Sequence, residues 1–173
     1  QYFLLLVGPT KNQKKSSHPT QSAETQMARA RIEDTWGVTL RPHQVDAIEA
    51  ALAGRDVLVT VATGGGKSLI YQSLALLRPP VLVISPLLAL MEDQCNAARA
   101  RGLETCNLSA RDPWTAKTQI VFITPERAVH QLTNDTWSYI AVDEAHCVVS
   151  WGGDFRPEYA QLGALRTKCP MLA

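Results

Sequence analysis

The stretch Val61-Ala62-Thr63-Gly64-Gly65-Gly66-Lys67-Ser68 carries the residue types that grip phosphate. Backbone N–H groups of a glycine-rich turn, together with the start of a following helix, converge on anionic oxygens. Lys67 can reach the outer phosphates and Ser68 can hold Mg²⁺, while Ala62 and Thr63 lead the turn in. Gly64, Gly65 and Gly66 allow close approach and positive φ without a Cβ clash. The full pattern G-x-x-x-x-G-K-[ST] asks for Gly at position 61, where this chain has Val. The run Asp56–Thr60 before the loop reads as a buried strand, and Leu69–Leu77 after it reads as a helix.

A second chemical pair is Asp143-Glu144, at the end of the apolar run Tyr139–Val142. Adjacent carboxylates ending a buried strand are costly unless they have partners. Mg²⁺ on phosphate oxygens is the natural partner for Asp143, and Glu144 can then polarise a water that attacks the γ-phosphorus. His146 can link that site to a neighbouring segment or serve as a structural histidine. Gln44, on a helix opened by Pro42, has an amide able to pair with both a donor and an acceptor on an adenine edge. In Ser150–Pro157, Trp151 and Phe155 stand among glycines beside Arg156. That composition suits a platform for unpaired bases, or alternatively an aromatic pair covering the sheet edge.

The elements that must position these groups follow from hydrophobic patterning. Short apolar runs at Val81–Ile84, Ile120–Ile123 and Tyr139–Val142, with Thr105–Leu108 as a short further strand, alternate with helical segments such as Leu87–Arg101, whose Leu87, Leu88, Met91, Cys95 and Ala98 fall on one side. The alternation predicts an α/β fold with a mainly parallel sheet covered by helices on both faces. Candidate residues then gather at strand C-termini: Gly64 to Ser68, Ser85, Thr124 and Asp143-Glu144. Open α/β sheets bind ligands along that edge.

The bulk composition narrows the classes. At 173 residues, 46% hydrophobic, 19% charged and net charge +1, the chain is long enough for one core and has no global basic signature. Nucleic-acid binding therefore needs a local groove. Cys95, Cys106, Cys147 and Cys169 show no C-x-x-C spacing, which suits buried thiols in a reducing compartment. Tyr2–Val7 is too short to span a membrane and reads as a strand remnant or an end without structure. Residues 1–35, polar from Gly8 to about Ala30, read as a disordered leader, and 36–173 as the ordered domain. The initial Gln suggests a fragment.

Arg41-Pro42-x-Gln44, Ala62 to Ser68, Ile84-Ser85-Pro86-Leu87, Thr124-Pro125-Glu126-Arg127, Asp143-Glu144-Ala145-His146 and Trp151-Gly-x-Asp154-Phe155-Arg156-Pro157 together resemble the RecQ helicases in order and approximate spacing. The resemblance covers about Trp36 to Ala173. It implies a P-loop fold, the first of two RecA-like lobes, incomplete at its C-terminal end. Helicases of this superfamily generally lack the leading glycine, so Val61 fits them. The implied activity is ATP- and Mg²⁺-dependent 3′ to 5′ movement on single-stranded DNA with unwinding of partly duplex DNA, inside the cell and, in a eukaryote, in the nucleus. Arg41 and Gln44 would recognise adenine, and Thr63 to Ser68 would hold phosphates. Asp143 and Glu144 would serve Mg²⁺ and water. Trp151, Phe155 and Arg156 would couple DNA contact to hydrolysis, and Ser85 and Thr124 would line the DNA path. Gly153 stands where the family commonly has His. The competing readings are an RNA-helicase lobe, since Asp-Glu-Ala-His also names such a group, and a truncated, non-catalytic nucleic-acid-binding product.

Overall fold

Three four-residue strands with no exposed position form the centre of the molecule: Val81–Ile84, Ile120–Ile123 and Tyr139–Val142. All are apolar and mostly β-branched, the pattern of strands buried on both faces. The structure is a computed structural model that describes residues 2–7, 19–62, 64–132, 137–145 and 158–165. In chain order the elements are β1 (Tyr2–Val7), α1 (Pro19–Trp36), α2 (Pro42–Leu52), β2 (Val57–Val61), α3 (Lys67–Leu77) and β3 (Val81–Ile84). There follow α4 (Leu88–Ala100), β4 (Thr105–Asn107), β5 (Ile120–Ile123), α5 (Pro125–Gln131), β6 (Tyr139–Val142) and a short α6 (Glu158–Gln161).

The sheet runs β2-β1-β6-β3-β5-β4. β3 pairs in parallel with both β5 and β6, and β4 pairs in parallel with β5. β1 lies antiparallel between β2 and β6. The α/β expectation holds, with that single antiparallel insertion. Residues 2–7 are thus an internal strand of the sheet.

Two cores flank the sheet. On one side Ile32, Leu40, Ile48, Ile70, Leu74, Met91, Cys95 and Ala98 pack against Val81, Val83, Phe122 and Tyr139. On the other, Ala128, Leu132, Trp137 and Leu165 pack against Leu82, Ile84, Val121, Ile123 and Val142. Tyr71 meets Phe122 edge-on at 6.2 Å between centroids. Helix starts follow local chemistry. Pro42 and Pro125 occupy first-turn positions where a missing N–H costs nothing, and the Thr124 side chain accepts from the Arg127 N–H to cap α5. Cys95 and Cys106 are buried free thiols, and burial pushes Cys95 up to about 11. Cys147 and Cys169 lie outside the described residues.

Three expectations need correction. Residues 19–36 are not a disordered leader but the helix α1. Its surface is polar nearly all round, so no apolar period marks it. It is held instead by Ile32, fully buried, and by ties to its neighbours. Arg31 donates to the Leu76 carbonyl, Arg78 pairs with Glu24, and the Trp36 indole N–H donates to the Arg101 carbonyl at 3.0 Å. The strand before the phosphate loop is half-covered: Val59 is buried, whereas Leu58, on an edge strand, is 61% exposed. On α4, Met91, Cys95 and Ala98 are buried as the spacing predicts, but Leu87 and Leu88 are exposed.

Burial decides the cost of truncation. Leu82→Ala, in a fully buried central strand, is expected to cost roughly 2–5 kcal/mol in denaturant unfolding. Leu58→Ala is expected to stay within about 0.5 kcal/mol.

Candidate nucleotide and metal site

The phosphate loop joins β2 to α3, and the first turn of α2 holds it from outside. Arg41 donates to the Gly64 carbonyl at 3.4 Å, the His43 ring Nε2 meets the Gly65 carbonyl at 2.9 Å, and the Gln44 amide donates to the Gly66 carbonyl at 2.9 Å. Three successive carbonyls are thereby engaged by α2, while the Gly65 N–H donates back to the Ala62 carbonyl at 3.0 Å. Gly64 and Gly66 sit at φ +77° and +79°, which only glycine adopts without penalty. Thr63 lies outside the described residues.

Gln44 is buried and its amide is committed at both ends. Its oxygen accepts from the Arg41 backbone N–H at 2.8 Å while its nitrogen holds Gly66. In this arrangement the residue expected to read adenine braces the loop. His43 is a loop contact that the sequence reading passed over, because a lone polar residue in a helix's first turn looks like surface.

The carboxylates stand at the same edge of the sheet. Ile84 pairs with both Ile123 and Val142, so Ser85, Thr124 and Asp143 end three neighbouring strands side by side. Asp143 is 5% exposed; its Oδ1 accepts from the Glu144 N–H at 3.0 Å and its Oδ2 from the Gln94 amide at 2.9 Å. Glu144 sits at φ +53°, a conformation rare for a non-glycine residue and common where a site holds strain. Desolvation, and then the charge of Asp143, hold its carboxyl above the usual range, while Lys67 pulls the other way. Tyr71, fully buried below, has Ser68 and Asp143 as polar neighbours, and burial followed by the charge of Asp143 keeps its phenol protonated. Ser85 is fully buried, with no partner for its hydroxyl among the described residues. Thr124 is already used as the cap of α5. His146, Trp151, Phe155 and Arg156 lie outside the described residues.

No cluster of three or more His, Cys, Asp or Glu forms a metal cage among the described residues. Mg²⁺ needs none: it keeps several waters and takes one or two protein oxygens beside those of the phosphates. Ser68 and Asp143 supply a hydroxyl and a carboxylate, and the unpartnered Ser85 hydroxyl beside Asp143 suits the water shell of such an ion. The donors present therefore fit Mg²⁺ carried with a nucleotide.

The two left-handed glycines separate two effects. A Cβ at Gly64 meets nothing within 4 Å, whereas one at Gly66 falls 2.4 Å from the Gln44 amide nitrogen. Gly64→Ala should carry only the left-handed penalty of about 1–2 kcal/mol. Gly66→Ala should also dislodge Gln44, so triphosphate affinity measured by calorimetry should drop further for Gly66→Ala than for Gly64→Ala. Glu144 gives a pH signature. Because its folded-state pKa lies above 4.5, the folded state binds more protons than the unfolded state just above that pH. Stability should therefore fall as pH rises from 4.5 through the raised value, and the Glu144→Gln variant should lack that slope in thermal melts.

Residues 41–173 match the family model of the DEAD/DEAH box helicases. The chain is 40% identical over 149 residues to the ATP-dependent DNA helicase RecQ of Pasteurella multocida and equally to that of Haemophilus influenzae. The match covers 76% of this chain and 24% of each relative. It is 37% identical over 156 residues to the ATP-dependent DNA helicase hus2/rqh1 of Schizosaccharomyces pombe, covering 74% of this chain and 12% of that protein. The chain thus spans about a quarter or less of the length of these relatives. A phosphate loop pinned from outside, carboxylates at the neighbouring strand end and the match over residues 41–173 agree: this chain belongs to the DEAD/DEAH box helicase family, with RecQ helicases among its relatives.

Proposed function

We propose that this chain is the ATP-binding lobe of a RecQ-type DNA helicase, which couples ATP hydrolysis to 3′ to 5′ movement on single-stranded DNA and to duplex unwinding. The observation that carries this reading is the pairing of the loop, braced at Gly64, Gly65 and Gly66, with a buried Asp143 and a desolvated Glu144 at one sheet edge. Thr63 to Ser68 take the phosphates, with Lys67 on the outer ones, and Ala62 leads the backbone in. Ser68 and Asp143 would hold Mg²⁺, which would supply charge neutralisation at the phosphates when bound.

Glu144 acts as the base that orients and deprotonates the attacking water. A carboxylate raised towards neutrality by burial is better matched to that task than a solvated one. Arg41 and Gln44 meet the adenine, Gln44 exchanging its loop bond for the base edge. Ser85 and Thr124 belong to segments that line the DNA path, and His146, Trp151, Phe155 and Arg156 face or sense the DNA. The names of the relatives favour DNA over RNA as the substrate. The buried free thiols Cys95 and Cys106 support an intracellular setting. Among the described residues no helix is long and apolar enough to cross a membrane.

Lys67→Ala should abolish ATP binding by the lobe. In a protein that carries this lobe together with a second one, Glu144→Gln should retain ATP binding and lower turnover by at least about 100-fold. ATPase stimulation by single-stranded DNA and by RNA of equal length tests the substrate. Stronger stimulation by RNA, or unchanged ATP affinity in Lys67→Ala, refutes the reading.

A further inference from the structure

α4 delivers one polar side chain to the metal edge. Gln94 lies on the helix between Met91, Cys95 and Ala98, all three buried against the sheet. Its Nε2 donates to Asp143 Oδ2 at 2.9 Å, while its own Oε1 is buried with no partner among the described residues. An unsatisfied buried acceptor costs free energy that an apolar side chain of the same size does not incur. Packing alone therefore does not account for an amide at this position; the bond to Asp143 does.

The identity of the donor matters as well. Asp143 Oδ1 takes the N–H of the next residue, a bond local to the turn, so Gln94 is the contact that ties the carboxylate to a different element. A lysine or arginine there would also fix the carboxylate, but it would neutralise the charge a cation needs. A neutral amide orients Asp143 and leaves its charge in place.

We propose that Gln94 is a positioning residue that fixes the Asp143 carboxylate for Mg²⁺ and thereby ties the metal edge to α4. The inference rests on reading Asp143 as the Mg²⁺ carboxylate. Outer-shell partners of this kind typically change metal affinity tenfold or more when removed.

The test uses the whole chain and ATP, with affinity measured by calorimetry in Mg²⁺ and in EDTA. Gln94→Met, which keeps the volume and removes the donor, is expected to lose about tenfold of the Mg²⁺-dependent gain in affinity. Its EDTA affinity should stay close to that of the unmodified chain. Gln94→Asn, whose amide is one methylene short of Asp143, should show the same loss and serves if the apolar variant does not fold. A full Mg²⁺-dependent gain in either folded variant overturns the inference, as does an equal loss with and without Mg²⁺. Asp143→Asn separates the two layers. If it abolishes the gain while Gln94→Met keeps it, only the role of Gln94 fails; if it leaves the gain intact, the assignment of Asp143 fails and this inference with it.

Discussion

A carboxylate that must stay charged at the end of a strand with no exposed residue governs this site. Tyr139–Val142 are all buried, and Asp143 follows at 5% exposure, bonded through its N–H to the Ile84 carbonyl at 2.8 Å. A charge there is tolerable only if its oxygens are met, and both are. One bond needs the turn at Glu144, whose left-handed backbone is part of that geometry. The other needs α4 to bring Gln94 within reach of the end of β6. The same low polarity that makes Asp143 demanding raises the proton affinity of Glu144, so the cost of burial and the chemistry on offer have one origin.

The phosphate loop meets the opposite problem, since its backbone has to present donors to a ligand without collapsing onto itself. α2 meets it from outside by occupying the carbonyls of Gly64, Gly65 and Gly66 with three side chains of one helical turn. Bracing of this kind lowers the ordering cost of binding, because the loop is held in one shape before the phosphates arrive. On the proposed reading it would also link the two parts of a nucleotide site, because a base that engages Gln44 would have to draw it off Gly66.

Much of this was legible in the residues. Short β-branched runs ending in Ser85, Thr124 and Asp143 announce parallel strands with a polar edge, and the glycine run before Lys67-Ser68 announces the loop. The rest lacked a local signal. α1 has no apolar stripe and is held by Ile32 and by ties that only the fold brings into reach, such as Trp36 with Arg101. Gln94 resembles any polar helix position until Met91, Cys95 and Ala98 on the same face prove to be buried. His43 carries no pattern at all. Leu88 fits the apolar face of α4 by spacing, yet it is exposed while Met91 in the same turn is buried, a difference that helical period does not carry.

The strand β1 sets the distance between the two halves of the site. In the sheet β2 is bonded only to β1, and β1 in turn to β6, so the phosphate loop reaches the carboxylates through this one antiparallel strand. Leu5 pairs with Leu58 on one side and with Val142 on the other, which places the end of β6 level with Leu58. β2 runs three residues further, to Val61, before the loop begins. At about 3.3 Å per residue, that offset lifts the start of the loop on the order of 10 Å beyond the end of β6. Lys67 and Ser68, at the head of α3, return towards Asp143 and Glu144 from above, close enough for Lys67 to act on the Glu144 carboxyl. The stagger comes from which residue of β1 faces both neighbours at once. The offset between the loop and the carboxylates is therefore a consequence of strand register as much as of the motifs that it separates.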